Sequence, residues 1–161
     1  MNDIFCLKAS NTNTTILIDF EDKEKVFKHH NNWWESKDGF ILCRRSKVTN
    51  TVVYLHKIIT PGVRTDHKEH NRFDNRKSKL RSCTFSQNGG NRLKNKTATH
   101  KYKGVKYNYR LDKEYWTAKI TCNHKIYCLG CFNTELEAAK AYNKKALELY
   151  GEFACLNQCP D

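Results

Sequence analysis

The chain has 161 residues, of which 39% are hydrophobic and 29% charged, so it suits one medium domain or two small ones. Its 29 Lys and Arg residues against 17 Asp and Glu residues give a formal net charge of +12, which favours a polyanionic partner such as nucleic acid or an anionic membrane surface. No run approaches the roughly 18 apolar residues of a membrane-spanning helix, and the first residues lack a signal-peptide pattern. We therefore expect an intracellular protein that does not bind a membrane and whose eight cysteines are reduced.

The positive charge is concentrated in the middle of the chain, where no acidic residue occurs between Asp74 and Asp112. A stretch of one sign this long repels itself unless counter-charge lies nearby, and DNA phosphates would supply that charge. The alternative interpretation is a solvated, partly flexible connector.

The first half of the chain predicts a small antiparallel sheet. Strand-like runs rich in β-branched residues occupy 14–20, 39–45 and 51–59. Between the first two, residues 21–34 predict a short helix or turn, with Trp33 and Trp34 in the core.

The second half predicts a complete α+β unit. Three strand-like runs with short turns occupy 104–110, 115–122 and 124–132. A helix should follow, because Thr134 and Glu137 have capping-box spacing and Gly151 is a typical C-terminal stop. The predicted fold class is therefore α+β, with a small N-terminal sheet followed by a three-stranded antiparallel sheet packed on one helix.

The segment between the two halves carries residues suited to phosphodiester cleavage. That reaction uses a divalent ion held by oxygen ligands, and an imidazole that takes a proton from water. Asp66 and Asn88 offer oxygens, and His67 offers an imidazole that titrates in the right range.

These residues also carry a resemblance. Leu55-His56-Lys57, Asp66-His67, Asp74-Asn75-Arg76 and Ser86-Gln87-Asn88 followed by Asn91 resemble the HNH homing-endonuclease family, of the kind with a ββα-metal site. The resemblance implies that Asp66 and Asn88 ligate one divalent ion, Mg²⁺ with Mn²⁺ as the alternative. It implies that His67 is the general base and that His56 supports the site.

The chain departs from that family at two positions. Lys79 stands where the family usually has an asparagine that orients the catalytic loop, and His70 stands where the family often has glycine. The alternative function is therefore a DNA-binding regulator with a weak or inactive nuclease site.

Residues 102–157 resemble the Apetala/ethylene-response-factor (ERF) DNA-binding domain of plants. The resemblance is carried by Tyr102-Lys103-Gly104-Val105, Trp116 to Ile120, Leu129 to Phe132, Ala138 to Tyr142, and Gly151-Glu152-Phe153. That family lays its sheet in the DNA major groove, and strand alternation then assigns five residues to the DNA-facing side: Lys106, Asn108, Arg110, Lys119 and Thr121.

The resulting organisation is an HNH nuclease domain at 1–92, a basic linker at 93–101, an ERF-type domain at 102–157 and a tail at 158–161. We expect a monomer that acts on double-stranded DNA without a small-molecule cofactor. A zinc site is the alternative interpretation of the second half, and its candidate ligands are Cys122, Cys128, Cys131, Cys155 and Cys159.

Overall fold

The computed structural model describes residues 3–29, 32–44, 51–95 and 100–160. Its contacts divide the chain into two compact units, Met1–Cys83 and Thr84–Asp161. Both units mix helices with small antiparallel sheets, so the predicted α+β class is confirmed.

The described residues of the first unit form seven short strands and two α-helices. In chain order they are β1 (Ile4–Lys8), β2 (Thr15–Asp19), α1 (Lys23–His29), β3 (Trp34–Glu35), β4 (Ile41–Arg44), β5 (Val52–Tyr54), α2 (Leu55–Ile59), β6 (Thr65–His67) and β7 (Leu80–Ser82). The strands β1 and β2 form one antiparallel pair, β6 and β7 form another, and β3, β4 and β5 form a three-stranded sheet with β4 in the centre.

The core of the first unit is built from side chains that alternate inward along these strands. Ile16 and Ile18 on β2 are fully buried, and they pack in one cluster with Val26 of α1, Trp33 and Leu55. Trp33 is 2% exposed, as its predicted core position requires, whereas Trp34 is half-buried at the edge of the same cluster.

The strand predicted over 51–59 is wrong in its second half, where the chain forms α2. Leu55, Ile58 and Ile59 are the buried residues of this helix. Their spacing of three and four residues is the helical period, which places all three on one face. The β-branched residues of the segment favoured a strand, but burial of that face against the core decides the local structure.

The second unit contains a short helix, a three-stranded sheet and a long helix. They are α3 (Phe85–Gly90), β8 (Val105–Arg110), β9 (Lys113–Cys122), β10 (Lys125–Phe132) and α4 (Glu135–Tyr150). The sheet is antiparallel with β9 in the centre, and it packs on one helix as predicted. The capping box predicted for Thr134 and Glu137 is present at the start of α4.

One face of this sheet is covered by α4. Ala138 and Ala139 are fully buried against Val105 and Ala118, because small side chains let the helix approach the strands closely. Gly104 makes the same approach possible at the end of the sheet, since a Cβ there would lie 2.3 Å from ring carbons of Tyr142.

The helix α3 is held in the second unit at both of its ends. Near its start, the Ser86 hydroxyl accepts a hydrogen bond from the Asn123 N–H at 3.1 Å. At its end, Gly90 lies so close to the Tyr150 ring that a Cβ would be 2.6 Å from the ring carbons, and the Gly90 carbonyl accepts from the Cys155 N–H at 3.3 Å. The helix is thereby fixed to the β9–β10 turn and to the end of α4.

No helix in the described ranges is long and apolar enough to cross a membrane.

Candidate active site and nucleic-acid interface

Asp66 and His67 are neighbours on β6, and each is 7% exposed. Successive residues of a strand point to opposite faces, so the two side chains have different surroundings. Asp66 is paired in register with Arg81 on β7, and His67 with Leu80.

The Asp66 carboxylate forms a buried ion pair with Arg81. Arg81 donates to Oδ2 from Nε and from its terminal nitrogen, both at 3.0 Å. The two side chains are 8% and 11% exposed, so the guanidinium supplies the opposite charge that a buried carboxylate needs.

His67 forms a hydrogen bond with Asn75, a residue to which the sequence alone assigned no role. Its Nε2 lies 3.2 Å from Oδ1 of Asn75, which is 1% exposed. The Asn75 amide nitrogen donates to the Arg72 carbonyl at 3.1 Å, so the oxygen is the end that faces His67. Because an amide oxygen only accepts, neutral His67 carries its proton on Nε2 and its lone pair on Nδ1.

Aromatic side chains surround the two histidines. His56 lies on α2, and its ring meets that of His67 edge to face with centroids 5.5 Å apart. Phe40 packs on both rings, with centroid distances of 5.9 Å to His56 and 6.5 Å to His67. The Arg72 guanidinium lies over the Phe40 ring, 4.2 Å from its centre. The structure therefore brings His56 and His67 together.

Burial keeps both imidazoles neutral at physiological pH. It lowers the pKa of His56 to about 4, with a further contribution from repulsion by His67 in its protonated form and by Lys57. Burial also lowers the pKa of His67, against the opposing effects of the Asn75 hydrogen bond and of Asp66. A neutral imidazole is the form that accepts a proton.

The two departures from the family pattern have clear structural correlates. His70 has a φ of +60°, in the left-handed region where glycine is the least strained residue. Lys79 forms an ion pair with Glu69 at 2.6 Å, and its carbonyl accepts a hydrogen bond from the Lys68 N–H at 3.0 Å. The loop between β6 and β7 is thus tied at this point by a charge pair and a backbone bond.

Asn88 lies half-buried on α3 and belongs to the second unit, whereas Asp66 and His67 belong to the first. The start of α3 is set by a capping box. Thr84 caps α3 by accepting from the Gln87 N–H, and the Gln87 side chain accepts in return from the Thr84 N–H.

The five residues assigned to the DNA-facing side share the sheet face opposite α4. The register pairs Lys106 with Thr117 and Arg110 with Lys113, and cross-strand partners lie on the same face. Lys119 and Thr121 alternate with the buried Ala118 and Ile120 along β9. Asn108 is on this face too, where its amide donates to the Thr117 hydroxyl at 2.9 Å.

The cysteines of the zinc interpretation do not converge. A bulge between Cys128 and Gly130 leaves Cys128 and Cys131 exposed and paired with open-face residues of β9. Cys159 packs against the core on the α4 side of the sheet. None of the described cysteines joins a group of three ligand-type side chains, so the structure does not bring the candidate zinc ligands together.

Within the described ranges, one group of three carboxylates does gather, formed by Asp19, Glu21 and Asp22. Lys77 binds all three: its ammonium lies 2.7 Å from Glu21 and 3.2 Å from Asp22, and its backbone N–H donates to Asp19 at 2.7 Å. The cluster therefore anchors the segment that follows Asn75 to the end of β2.

The chain resembles a viral protein. It is 29% identical over 131 residues to a protein of Acanthamoeba polyphaga mimivirus that is described as an uncharacterized HNH endonuclease. The match covers 78% of this chain and 66% of the viral protein, so the chain spans just under two thirds of that relative. No protein-family profile matches the chain, and no solved structure is significantly similar to it.

Proposed function

We propose that the protein is a metal-dependent DNA endonuclease guided by an ERF-type DNA-binding sheet. The observation that carries the proposal is the buried pair Asp66 and His67, in which the Asn75 hydrogen bond leaves the lone pair of His67 on Nδ1. The name of the mimivirus protein supports the same reaction class.

In this proposal His67 is the general base. Its Nδ1 takes a proton from the water that attacks the phosphorus, while the bond from phosphorus to the leaving oxygen breaks. His56 lines the same aromatic pocket at 5.5 Å and limits the access of bulk water to the imidazole. Its low pKa keeps a second positive charge away from the one that His67 gains.

The proposed metal ligands are the Asp66 carboxylate and the Asn88 side-chain carbonyl. Both are oxygen donors, which fit a hard divalent ion such as Mg²⁺ or Mn²⁺. When bound, such an ion would neutralise charge on the scissile phosphate and on the leaving oxygen. The ion pair with Arg81 holds the Asp66 carboxylate in a defined orientation.

The proposed DNA contacts lie on the open face of the second sheet. Lys106, Arg110 and Lys119 offer charge to phosphates and hydrogen bonds to guanine, and Asn108 offers the amide that reads adenine. In the described part of the second unit, α4 covers the other face of this sheet. Double-stranded DNA lying across the open face would meet basic and short polar side chains together.

Plasmid nicking tests the proposal directly. The intact chain with Mg²⁺ or Mn²⁺ should convert supercoiled plasmid to the nicked or linear form, and chelation of the metal should stop it. The His67→Ala protein, purified in parallel as the matched control for contaminating nuclease, should lose at least about 100-fold in rate because a general base contributes that much. Equal nicking by both proteins would overturn the assignment.

A second candidate function is DNA binding without cleavage. It is favoured by Lys79, which stands at the position of the family's loop-orienting asparagine, and by the hold of Arg81 on the Asp66 carboxylate. Salt-sensitive DNA binding with no nicking in either metal would establish this alternative in place of the first.

A further inference from the structure

Asn75 is the most deeply buried polar side chain of the first unit that also touches a proposed catalytic residue. It is 1% exposed, and both ends of its amide have a partner. Leaving either end of a buried amide without a hydrogen-bond partner destabilises the folded chain, so neither end rotates away.

The orientation of the amide is determined by its nitrogen. Nδ2 donates to the Arg72 carbonyl at 3.1 Å, and a carbonyl cannot donate in return. Oδ1 is therefore the atom that meets Nε2 of His67 at 3.2 Å. If the amide were reversed, its oxygen would face the Arg72 carbonyl, and neither of these two acceptors could donate a hydrogen bond. The reversed orientation is therefore excluded.

The backbone of Asn75 is fixed to the core of the unit. Its N–H donates to the Leu17 carbonyl at 2.8 Å, and the Leu17 N–H donates to the Phe73 carbonyl at 2.9 Å. Leu17 lies on β2 between Ile16 and Ile18, which are fully buried. The strand β2 thus places the Asn75 amide against the imidazole of His67.

The two residues after Asn75 fix this segment by ion pairs. Arg76 donates from Nε and its terminal nitrogen to the two carboxylate oxygens of Asp74, at 2.8 and 2.6 Å. Lys77 then binds the carboxylates at the end of β2, from 2.7 to 3.2 Å. Asn75 is held on both sides along the chain.

We propose that Asn75 is the positioning residue for His67, fixing its Nε2–H tautomer and its ring orientation so that Nδ1 faces the reacting water. The proposal rests on the proposed nuclease function for its consequence, but the tautomer itself is a property of the protein without metal or DNA. During the reaction the proton from water arrives at Nδ1, and the Nε2–H remains bound to the Asn75 oxygen throughout.

Nitrogen-15 NMR of the histidine side chains tests the tautomer in the intact, metal-free chain, with His67→Gln used to assign the signal. At a pH where the imidazole is neutral, His67 should carry its proton on Nε2 in the native protein. Asn75→Leu has nearly the same shape without the acceptor and should release His67 to a mixture that includes the Nδ1–H form.

Cleavage by the same proteins tests the consequence. Asn75→Leu should lower kcat by roughly 10- to 100-fold, the range found when the hydrogen-bond partner of a metal-bound histidine is removed, with the KM for DNA unchanged. Thermal unfolding of each variant separates a lost fold from a lost hydrogen bond.

The outcomes are distinguishable. An Nδ1–H tautomer in the native protein would overturn the proposal even if Asn75→Leu did not fold. Unchanged kcat and unchanged tautomer in Asn75→Leu would overturn it as well. An Nε2–H tautomer that depends on Asn75, in a chain that does not nick plasmid, would uphold the positioning contact and refute the proposed nuclease function.

Discussion

His70 occupies the left-handed backbone region at φ +60°, where a side chain with a Cβ costs roughly 1–2 kcal/mol relative to glycine. Replacing it with glycine removes that strain but adds back about 0.5–1 kcal/mol of chain entropy. We expect His70→Gly to change the free energy of unfolding by no more than about 1 kcal/mol. His70→Val, which is β-branched, should lower it by more than about 1 kcal/mol. Denaturant unfolding measures both, and a valine variant as stable as the native chain would contradict the assigned conformation.

The buried histidines make stability depend on pH. The folded-state pKa of His56 is about 4, below its ordinary value of 6.5, so the unfolded chain binds the proton more tightly. Stability from this group is complete above pH 6.5 and decreases as the pH falls towards 4. After allowance for its partial exposure to solvent, the loss should be on the order of 2 kcal/mol.

Urea unfolding at pH 7, 6 and 5 measures how steeply the free energy of unfolding depends on pH. His56→Gln does not titrate in this range and should have a shallower slope than the native chain. His67, whose pKa burial also lowers, contributes in the same direction and remains in that variant. Equal slopes in the two proteins would contradict the burial of His56.

The hydrogen bond between Asn75 and His67 shows why the candidate site could be predicted only in part from the sequence. Asp66 and His67 are adjacent in the sequence, and their chemistry is visible there without any fold. The Asn75 contact depends on Leu17, which is distant along the chain and brings no chemical signal of its own. A hydrogen bond that a neighbouring strand positions leaves no local pattern to interpret.

At the scale of elements, close approach of α3 to α4 depends on a single glycine. A Cβ at Gly90 would lie 2.6 Å from carbons of the Tyr150 ring, whereas a Cβ at Gly89 would meet nothing within 4 Å. We expect Gly90→Ala to destabilise the chain by about 1–3 kcal/mol through overpacking. Gly89→Ala, the matched control on the same helix, should be neutral or stabilising by up to about 1 kcal/mol. Thermal unfolding compares them, and equal losses would contradict the packing of α3.

The elements themselves were predictable where the signal was local. Alternation along β9 and the capping box of α4 are properties of a few neighbouring residues, and both are present in the structure. The helix α2 was missed because Val52 to Ile59 combines β-branched composition with a helical spacing of buried residues. Only the position of the hydrophobic core decides between a strand and a helix for this segment.

At the scale of the whole molecule, the net charge of +12 predicts salt-dependent DNA binding. Fluorescence anisotropy with a labelled duplex at several salt concentrations should give a steep linear fall of log affinity with log salt. Lys119→Ala, on the open sheet face, should weaken binding and reduce the slope by about 1. Lys144→Ala, on the exposed side of α4, has the same charge change and should leave the slope close to native. A larger effect from Lys144 than from Lys119 would place the DNA on the other face.

Single-turnover cleavage at saturating protein tests most directly whether His67 is the general base of the proposed DNA cleavage. The native chain and His67→Ala would be compared on one end-labelled duplex with Mg²⁺, at equal occupancy established by anisotropy. We predict equal binding and a cleavage rate at least about 100-fold lower for His67→Ala. Equal rates at equal occupancy, or no cleavage by the native chain in either Mg²⁺ or Mn²⁺, would contradict the account.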